Sequence, residues 1–310
     1  MKPMPILAAA AAAAAVALLA AAAHADTLTP EQQAEVNKLR AIDASLHPRT
    51  GDIDIPDAKV TLHLGDNYYF LDAKDAQNIL VNAWDNPKDV AAGTIGLVFP
   101  KGGHFYDENG WAAVVTYEAS GFIRSEHHEK SDFDQVEKAI RDGEAASNAA
   151  RQKVKAAPIH FVGWAQPPTY DDAKHAVIWA RDLKFGGQDV DTLNYDVRVL
   201  GRRGYLSLNM VSVMPQLAAV RTAATDLERT AQFQAGSRYD DFNIATDKTS
   251  QLGLVGLVAA GAGAVLAQKL GLFAVVLLFL KKGLVLIVAA VSGGAAWLRR
   301  RFGKTPPAKP

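Results

Sequence analysis

Two strands and the turn between them are encoded by residues 192–213, which read TLNYDVRVLGRRGYLSLNMVSV. In the first half, apolar side chains alternate with polar ones, which is typical of a strand whose two faces meet different environments. Gly201-Arg202-Arg203-Gly204 follows, and a two-residue turn flanked by glycines is typical of a β-hairpin. The stretch therefore predicts an antiparallel pair of strands, with an apolar face formed by Leu193, Tyr195, Val197 and Val199.

The segments on either side of this hairpin predict helices and further strands. Thr29 is placed to cap a helix, with Pro30 at the first helical position and Gln32 completing a capping box. Other helices are predicted from Asp72 to about Trp84, from Ser131 to about Lys153, and over 215–233. Strands are predicted over 53–55, 60–64, 94–99, 111–117, 159–164 and 176–185. Without a regular β-α-β alternation, this order predicts an α+β domain: a twisted antiparallel sheet with helices covering one face.

The composition excludes several classes of protein. The 310 residues include 33 basic and 33 acidic side chains, no cysteine and 49% hydrophobic residues, which excludes disordered, collagen-like and disulfide-stapled chains. Residues 251–310 hold eight basic and no acidic side chains, and residues 1–25 hold only Lys2, so the segment 26–250 carries a net charge of −9. We do not expect a segment of that charge to bind nucleic acid.

Residues 1–25 are predicted to be a secretory signal peptide. Lys2 precedes a run of Ala, Leu and Val, and Ala23-His24-Ala25 forms a small-x-small cleavage site. An uncleaved N-terminal anchor is the alternative, and both interpretations export the domain predicted at 26–250. Because the chain has no cysteine, that domain must be stable without disulfides.

Three apolar runs in residues 251–298 predict a C-terminal anchor of apolar membrane helices. The runs cover 252–267, 270–280 and 283–298, and a spanning helix needs about 20 apolar residues. With an exported domain and a basic tail at 299–310, the positive-inside rule predicts an odd number of spans and a cytoplasmic tail. Residues 253–280 and residues 283–298 are both candidates for a single span. A two-span hairpin, which would leave the tail outside, is the structural alternative.

Small residues in the first apolar run recur at the spacing that lets membrane helices approach one another closely. The pairs are Gly256 with Ala260, Ala259 with Gly263, and Gly263 with Ala267. They indicate either self-association through a Gly- and Ala-rich helix or the chance spacing of an alanine-rich segment.

The sequence contains no recognisable signature of catalysis or cofactor binding. It lacks G-x-S-x-G, G-x-G-x-x-G, a P-loop and any cysteine nucleophile. His127-His128-Glu129 offers suitable zinc ligands, but adjacent histidines diverge in both strands and helices, so a solvated turn is expected there. We therefore predict no cofactor and no bound metal.

Two clusters of polar and aromatic residues are candidates for contacts with a ligand or partner. Residues 162–171, VGWAQPPTYD, combine a rigid Pro-Pro turn with polar groups, although Trp164 and Trp179 are equally suited to core packing. Residues 236–243, GSRYDDFN, form either a contact site or a docked connector in which Arg238 pairs with Asp240 or Asp241. The candidate residues from these clusters and the neighbouring strands are Tyr170, Asp171, His175, Arg198, Arg202, Arg238 and Tyr239.

Five motifs, in order along the chain, resemble a known family. They are LGDNYYFLDA at 64–73, WAAVVTY at 111–117, VGWAQPPTYD at 162–171, LNYDVRVLGR at 193–202 and RYDDFN at 238–243. Together they resemble the bacterial membrane-anchored proteins filed as domain of unknown function 2167. The resemblance implies an exported bacterial domain with a C-terminal anchor, and it assigns no activity or catalytic residue.

These observations lead to two hypotheses of function. The first is a noncatalytic module at the bacterial inner membrane, with its main domain in the periplasm, that binds an envelope protein or a cell-wall partner. The alternative is an envelope enzyme that uses a polar cluster around Asp171 and His175, with Arg198 or Arg202 nearby. Acid–base chemistry would require those groups to converge in one concave pocket.

Overall fold

The computed structural model describes residues 29–86, 88–125, 130–153 and 157–262. The helices are α1 Pro30–Ala44, α2 Ala73–Asn78, α3 Lys88–Ala91, α4 Lys130–Lys153, α5 Leu217–Thr230 and α6 Leu254–Ala262. A π-helical turn, Ile79–Ala83, continues α2, and 3-10 turns cover Met214–Gln216 and Tyr239–Asp241. The strands are β1 Asp52–Ile55, β2 Val60–His63, β3 Tyr68–Asp72, β4 Gly96–Pro100, β5 Ala112–Glu118, β6 Ile159–Asp171, β7 Ala176–Phe185, β8 Thr192–Gly201, β9 Gly204–Val213 and β10 Ala231–Phe233.

Seven of these strands form one antiparallel sheet in the order β3-β4-β5-β9-β8-β7-β6. The predicted hairpin lies near its centre, with Gly201 opposite Gly204 at the turn and Thr192 opposite Val213 at the far end. A second, three-stranded antiparallel sheet has the order β1-β2-β10. The α+β class with antiparallel sheets is therefore confirmed.

Helices lie on both faces of the large sheet, so the prediction that they cover one face is wrong. Leu193, Tyr195 and Val197 belong to a core shared with α5 and the three-stranded sheet. On the opposite face, α1 and α2 pack over β3–β5, and α4 and α6 pack over Val177, Trp179 and Leu200. Alternation along a strand shows that its faces differ, but it does not reveal which distant helix covers the more polar face.

Local signals in the sequence located most helix ends. The Thr29 hydroxyl accepts a hydrogen bond from the Gln32 amide, and the Gln32 side chain accepts one from the Thr29 amide, so the capping box is confirmed. The Asp72 carboxylate caps α2 as predicted. The helix predicted over 215–233 ends at Thr230, because the next three residues pair with β2 as strand β10.

The first apolar run of the C-terminal region supplies the last described helix, α6. Its residues Leu254, Leu257, Val258 and Ala259 are buried in the domain core. Within the ranges given above, no helix combines the length and the hydropathy needed to cross a bilayer. The predicted signal peptide at 1–25, the apolar residues 263–298 and the tail at 299–310 lie outside the described residues.

Candidate functional site

The end of the β6–β7 hairpin brings three of the predicted site residues together. The hydroxyl oxygen of Tyr170 lies 3.1 Å from Nδ1 of His175. Nε2 of the same histidine lies 3.1 Å from Oδ1 of Asp240. The ring of Tyr239 stacks on the imidazole, with 4.2 Å between ring centroids. A phenol, a carboxylate and an aromatic ring therefore fix the orientation of His175.

The backbone also holds His175 in place. Its φ is 49°, in the left-handed region that non-glycine residues adopt uncommonly, and its carbonyl accepts a 2.8 Å hydrogen bond from the amide of Leu200. Burial raises the pKa of Tyr170 to about 12, so its hydroxyl is protonated at neutral pH. Since the Asp240 side chain is 83% exposed, the open edge of this cluster presents a carboxylate and an oriented imidazole to solvent. We call Tyr170, His175, Tyr239 and Asp240 the His175 cluster.

Aromatic rings packed against Tyr239 support the His175 cluster. Phe242 stacks on Phe122 with 3.8 Å between centroids, and Phe122 lies 4.5 Å from Tyr239. The Tyr239 hydroxyl donates a 2.8 Å hydrogen bond to the carbonyl of Ile123. The aromatic residues of segment 236–243 are therefore docked on the domain, as the connector interpretation predicts.

Asp171 lies next to Tyr170 in sequence but has a different set of partners. Its carboxylate lies 2.9 Å from the ammonium nitrogen of Lys174, and that ammonium also donates a 2.6 Å hydrogen bond to Oε2 of Glu228 on α5. Hydrogen bonding to Lys174 lowers the pKa of Asp171, whereas burial raises the pKa of Glu228. The triad of Asp171, Lys174 and Glu228 links the end of the hairpin to α5. The Asp171 carboxylate, which the enzyme hypothesis requires, is therefore already engaged in an ion pair.

Arg202 and Arg238 lie where the β8–β9 turn meets the connector. Arg202 pairs with Asp247 and donates from Nη1 to the carbonyl of Gly236 at 3.0 Å. The backbone of Arg238 bridges to Gly201, and its amide donates to the Asp241 carboxylate at 2.9 Å. Of the two carboxylates predicted to pair with Arg238, Asp240 instead contacts His175.

Arg198 is buried on the opposite side of the fold from α5, beneath α6. Its guanidinium lies between the rings of Trp179 and Tyr205, 4.8 and 4.9 Å from their centroids. Nη1 donates to the carbonyl of Leu257 at 3.2 Å, and Nη2 lies 3.8 Å from Oδ1 of Asp196. This arginine therefore does not join the His175 cluster.

A buried polar network around Arg198 was missed at the sequence level. Arg181 donates to Asn194 and lies 3.7 Å from Asp196, and the side-chain amides of Asn194 and Asn209 exchange hydrogen bonds of 3.0 and 3.3 Å. Burial lowers the pKa of Arg181 to about 10 and raises that of Asp196. The available signal was the alternation of Asn194, Asp196 and Arg198 with the apolar residues of β8.

A shallow cleft lies elsewhere, between the β4–β5 connection and the end of β9. Both aromatic and acidic side chains line it, and no predicted site residue is among them. The lining residues include Trp84, Phe105, Trp111, His104, Asp107 and Glu108.

Metal ligands do not gather in the described part of the chain, where no three His, Asp or Glu side chains could hold one ion. Residues 127–129, the His-His-Glu sequence considered for zinc, lie outside that part. The structure thus brings Tyr170, His175 and Tyr239 together and places Asp171, Arg198 and Arg202 in three other sets of contacts.

The chain was compared with curated proteins, solved structures and family models. No curated protein matches the chain. The chain is similar to the solution structure of cyanobacterial PsbP (CyanoP) from Synechocystis sp. PCC 6803, with 10% identity, a TM-score of 0.34, and coverage of 62% of this chain and 94% of that one. A family model described as "Protein of unknown function (DUF2167)" matches residues 47–292. The chain therefore belongs to the DUF2167 family.

Proposed function

We propose that this protein is a noncatalytic binding module of the bacterial envelope, exported and held at the inner membrane by its C-terminal region. The signal-like residues 1–25 and the apolar runs after residue 251 support the location. The partner is an envelope protein or a cell-wall component, and the acidic charge of segment 26–250 argues against nucleic acid.

The binding function is supported by the contacts that the polar candidate residues make within the protein. Asp171 bonds Lys174, Arg202 bonds Asp247, and Arg198 is enclosed by aromatic rings. An enzyme built on Asp171 and His175 would need both groups to face one reacting atom. Their different partners favour a recognition role, with the exposed edge of the His175 cluster as the contact surface.

The alternative of an envelope enzyme rests on one feature, the imidazole of His175 between a phenol and a carboxylate. A histidine held in this way could transfer a proton to a bound substrate. The two functions differ in what they require, because a binding module needs the surface of the cluster, whereas an enzyme needs the imidazole itself.

Crosslinking of the full-length protein in native membranes tests the binding function. A partner should be captured by the wild type and lost with Asp240→Ala, which removes the exposed carboxylate. His175→Asn, which tolerates the left-handed backbone, should retain a large part of the capture. Asp189→Asn, at an exposed aspartate of the β7–β8 turn, is the matched control. Equal capture by wild type and Asp240→Ala would count against this surface.

Washing isolated membranes tests the location. An apolar span inserts almost irreversibly, so the protein should stay in the pellet after alkaline or high-salt washing. A peripheral protein held by charge would leave in salt. Recovery of the protein in the wash supernatant would disprove the anchor.

A further inference from the structure

Helix α6 packs against the large sheet on a surface formed by three side chains, which we call the seat. Leu257 and Val258 are fully buried, and the core they enter includes Trp179 and Tyr205 of the sheet and Phe133 of α4. This helix comes from the apolar run that the sequence analysis assigned to the membrane. The seat is defined here as Trp179, Arg198 and Tyr205.

The seat recognises the main chain of α6 as well as its apolar side chains. The Arg198 guanidinium donates to the carbonyl of Leu257 at 3.2 Å while it is held between two rings. Gly261 lies directly against the same group: a Cβ at this position would overlap Nη2 of Arg198 and lie 2.6 Å from Cζ2 of Trp179. Since Trp179 is fully buried and Arg198 is sandwiched, neither can move away easily, and the seat requires glycine there.

The seat also buries polar groups of the sheet, at a cost that the contacts of α6 must offset. Trp179 Nε1 and Arg198 Nε have no hydrogen-bond partner among the described residues, and Asp196 is buried beside Arg198. Apolar side chains of α6 are removed from water both in the seat and in a bilayer, so that contribution does not distinguish the two locations. The hydrogen bond from Arg198 and the close packing of Gly261 exist only in the seat.

We infer that α6 is a permanent part of the exported domain, so that the single membrane span of the proposed function is not residues 253–280 and lies C-terminal to α6. This inference rests on the proposed membrane anchor. With 254–262 held in the seat, the 253–280 span loses its first third, and the run at 270–280 has only 11 residues. The remaining apolar run, 283–298, has 16 residues and is flanked in sequence by Lys281-Lys282 and Arg299-Arg300-Arg301.

Labelling of single introduced cysteines tests the topology, because the chain has no cysteine of its own. In intact spheroplasts, a membrane-impermeant maleimide should label Gln268→Cys, which would lie near mid-bilayer in a 253–280 span. Ile244→Cys, at a side chain 75% exposed, is the positive control, and Lys304→Cys should be labelled only after permeabilisation. An unlabelled Gln268→Cys beside a labelled Ile244→Cys overturns the inference, as does labelling of Lys304→Cys in intact spheroplasts. An unlabelled Ile244→Cys would instead contradict the export on which the proposed function rests.

A double-mutant cycle on the full-length protein tests the seat independently of topology. Gly261→Ala should lower the temperature at which trypsin resistance is lost, and the decrease should be smaller when Arg198→Ala has already removed the overlapping guanidinium. Gly253→Ala, where an added Cβ meets no atom within 4 Å, is the matched control and should cause no decrease. Additive effects of Gly261→Ala and Arg198→Ala would show that α6 does not occupy the seat.

Discussion

Arg202 and Asp247 form a two-point ion pair, with Nε 2.6 Å from Oδ2 and Nη2 3.0 Å from Oδ1. The pair joins the β8–β9 turn to the chain that follows the connector, and the Asp247 carboxylate also accepts a 2.8 Å hydrogen bond from the amide of Asn243, the last residue of the connector. Two parallel hydrogen bonds fix geometry as well as charge. The chain just after the connector is therefore fixed to the turn at Asp247.

The first prediction concerns acid stability at this pair. Hydrogen bonding to Arg202 lowers the pKa of Asp247 below its ordinary value of 3.8. A folded-state pKa below the unfolded one contributes stability that is present above the ordinary value and lost as pH falls through the folded value. Asp247→Asn should therefore lower the melting temperature at pH 7 and have little effect near pH 2. If Asp247→Asn lowers the melting temperature equally at both pH values, the prediction is contradicted. The control Asp189→Asn should change the melting temperature at neither pH.

The second prediction compares two tryptophans. Trp179 is fully buried, whereas Trp164 is half-buried at the edge of the core, where it meets Phe161 edge-on. Trp179→Ala should cost about 3–5 kcal/mol of unfolding free energy, as large aromatic truncations do. Trp164→Ala should cost clearly less, and urea unfolding measures both. Equal costs would mean that Trp164 is packed as tightly as Trp179.

The third prediction concerns the close approach at Gly204. A Cβ on this residue would overlap the carbonyl oxygen of Glu118 on the neighbouring strand. Backbone cannot give way as a side-chain end can, so Gly204→Ala should destabilise the domain by more than about 1 kcal/mol. Gly163→Ala is the matched control, because an added Cβ there meets nothing within 4 Å. Thermal unfolding that ranks the two variants equally would refute the close approach.

The fourth prediction gives two carboxylates of one triad opposite pH dependences. Burial raises the pKa of Glu228 above 4.5, so its contribution to stability falls as pH rises through the window between the ordinary and the folded value. Asp171 has a lowered pKa, so its contribution falls as pH drops below about 3.8. Glu228→Gln should remove the first dependence, and Asp171→Asn the second. Melting temperatures measured between pH 2 and pH 8 test both expectations. If either substitution leaves its pH dependence of the melting temperature unchanged, the assignment is contradicted.

Local residue patterns were sufficient for most elements of the fold. The capping residues Thr29 and Asp72 act within three residues of their own position, so no knowledge of the tertiary structure was needed. The strand predicted over 176–185 has those bounds in the structure, and the turn at 201–204 follows from its own glycines. The strand predicted over 159–164 extends to Asp171 with register shifts, because β7 offers pairing partners as far as Ala176.

The candidate site was only partly predictable, since its geometry depends on residues far apart in the chain. Tyr170 and His175 are five residues apart and could be grouped by inspection, but Asp240 reaches them only through the docked connector. The alternation along β8 marked Asp196 as part of a polar face but not as buried, because α4 and α6, which cover that face, come from positions 130–153 and 254–262. Polar residues on one face of a strand predict that this face is exposed to solvent, unless the element that covers it is already known.

The pairing of β5 with β9 has a consequence for how the chain folds. Strands β6 to β9 are joined in sequence as consecutive hairpins, but Val114 must find Asn209, which lies 95 residues later in the chain. Contacts between residues so distant in sequence close slowly, because chain entropy is lost before they form. Under the proposed export, the strands up to β5 would leave the cytoplasm well before β9. In that case we expect the edge of β5 to stay unpaired until the C-terminal half arrives, which would make this edge a region where a chaperone could act.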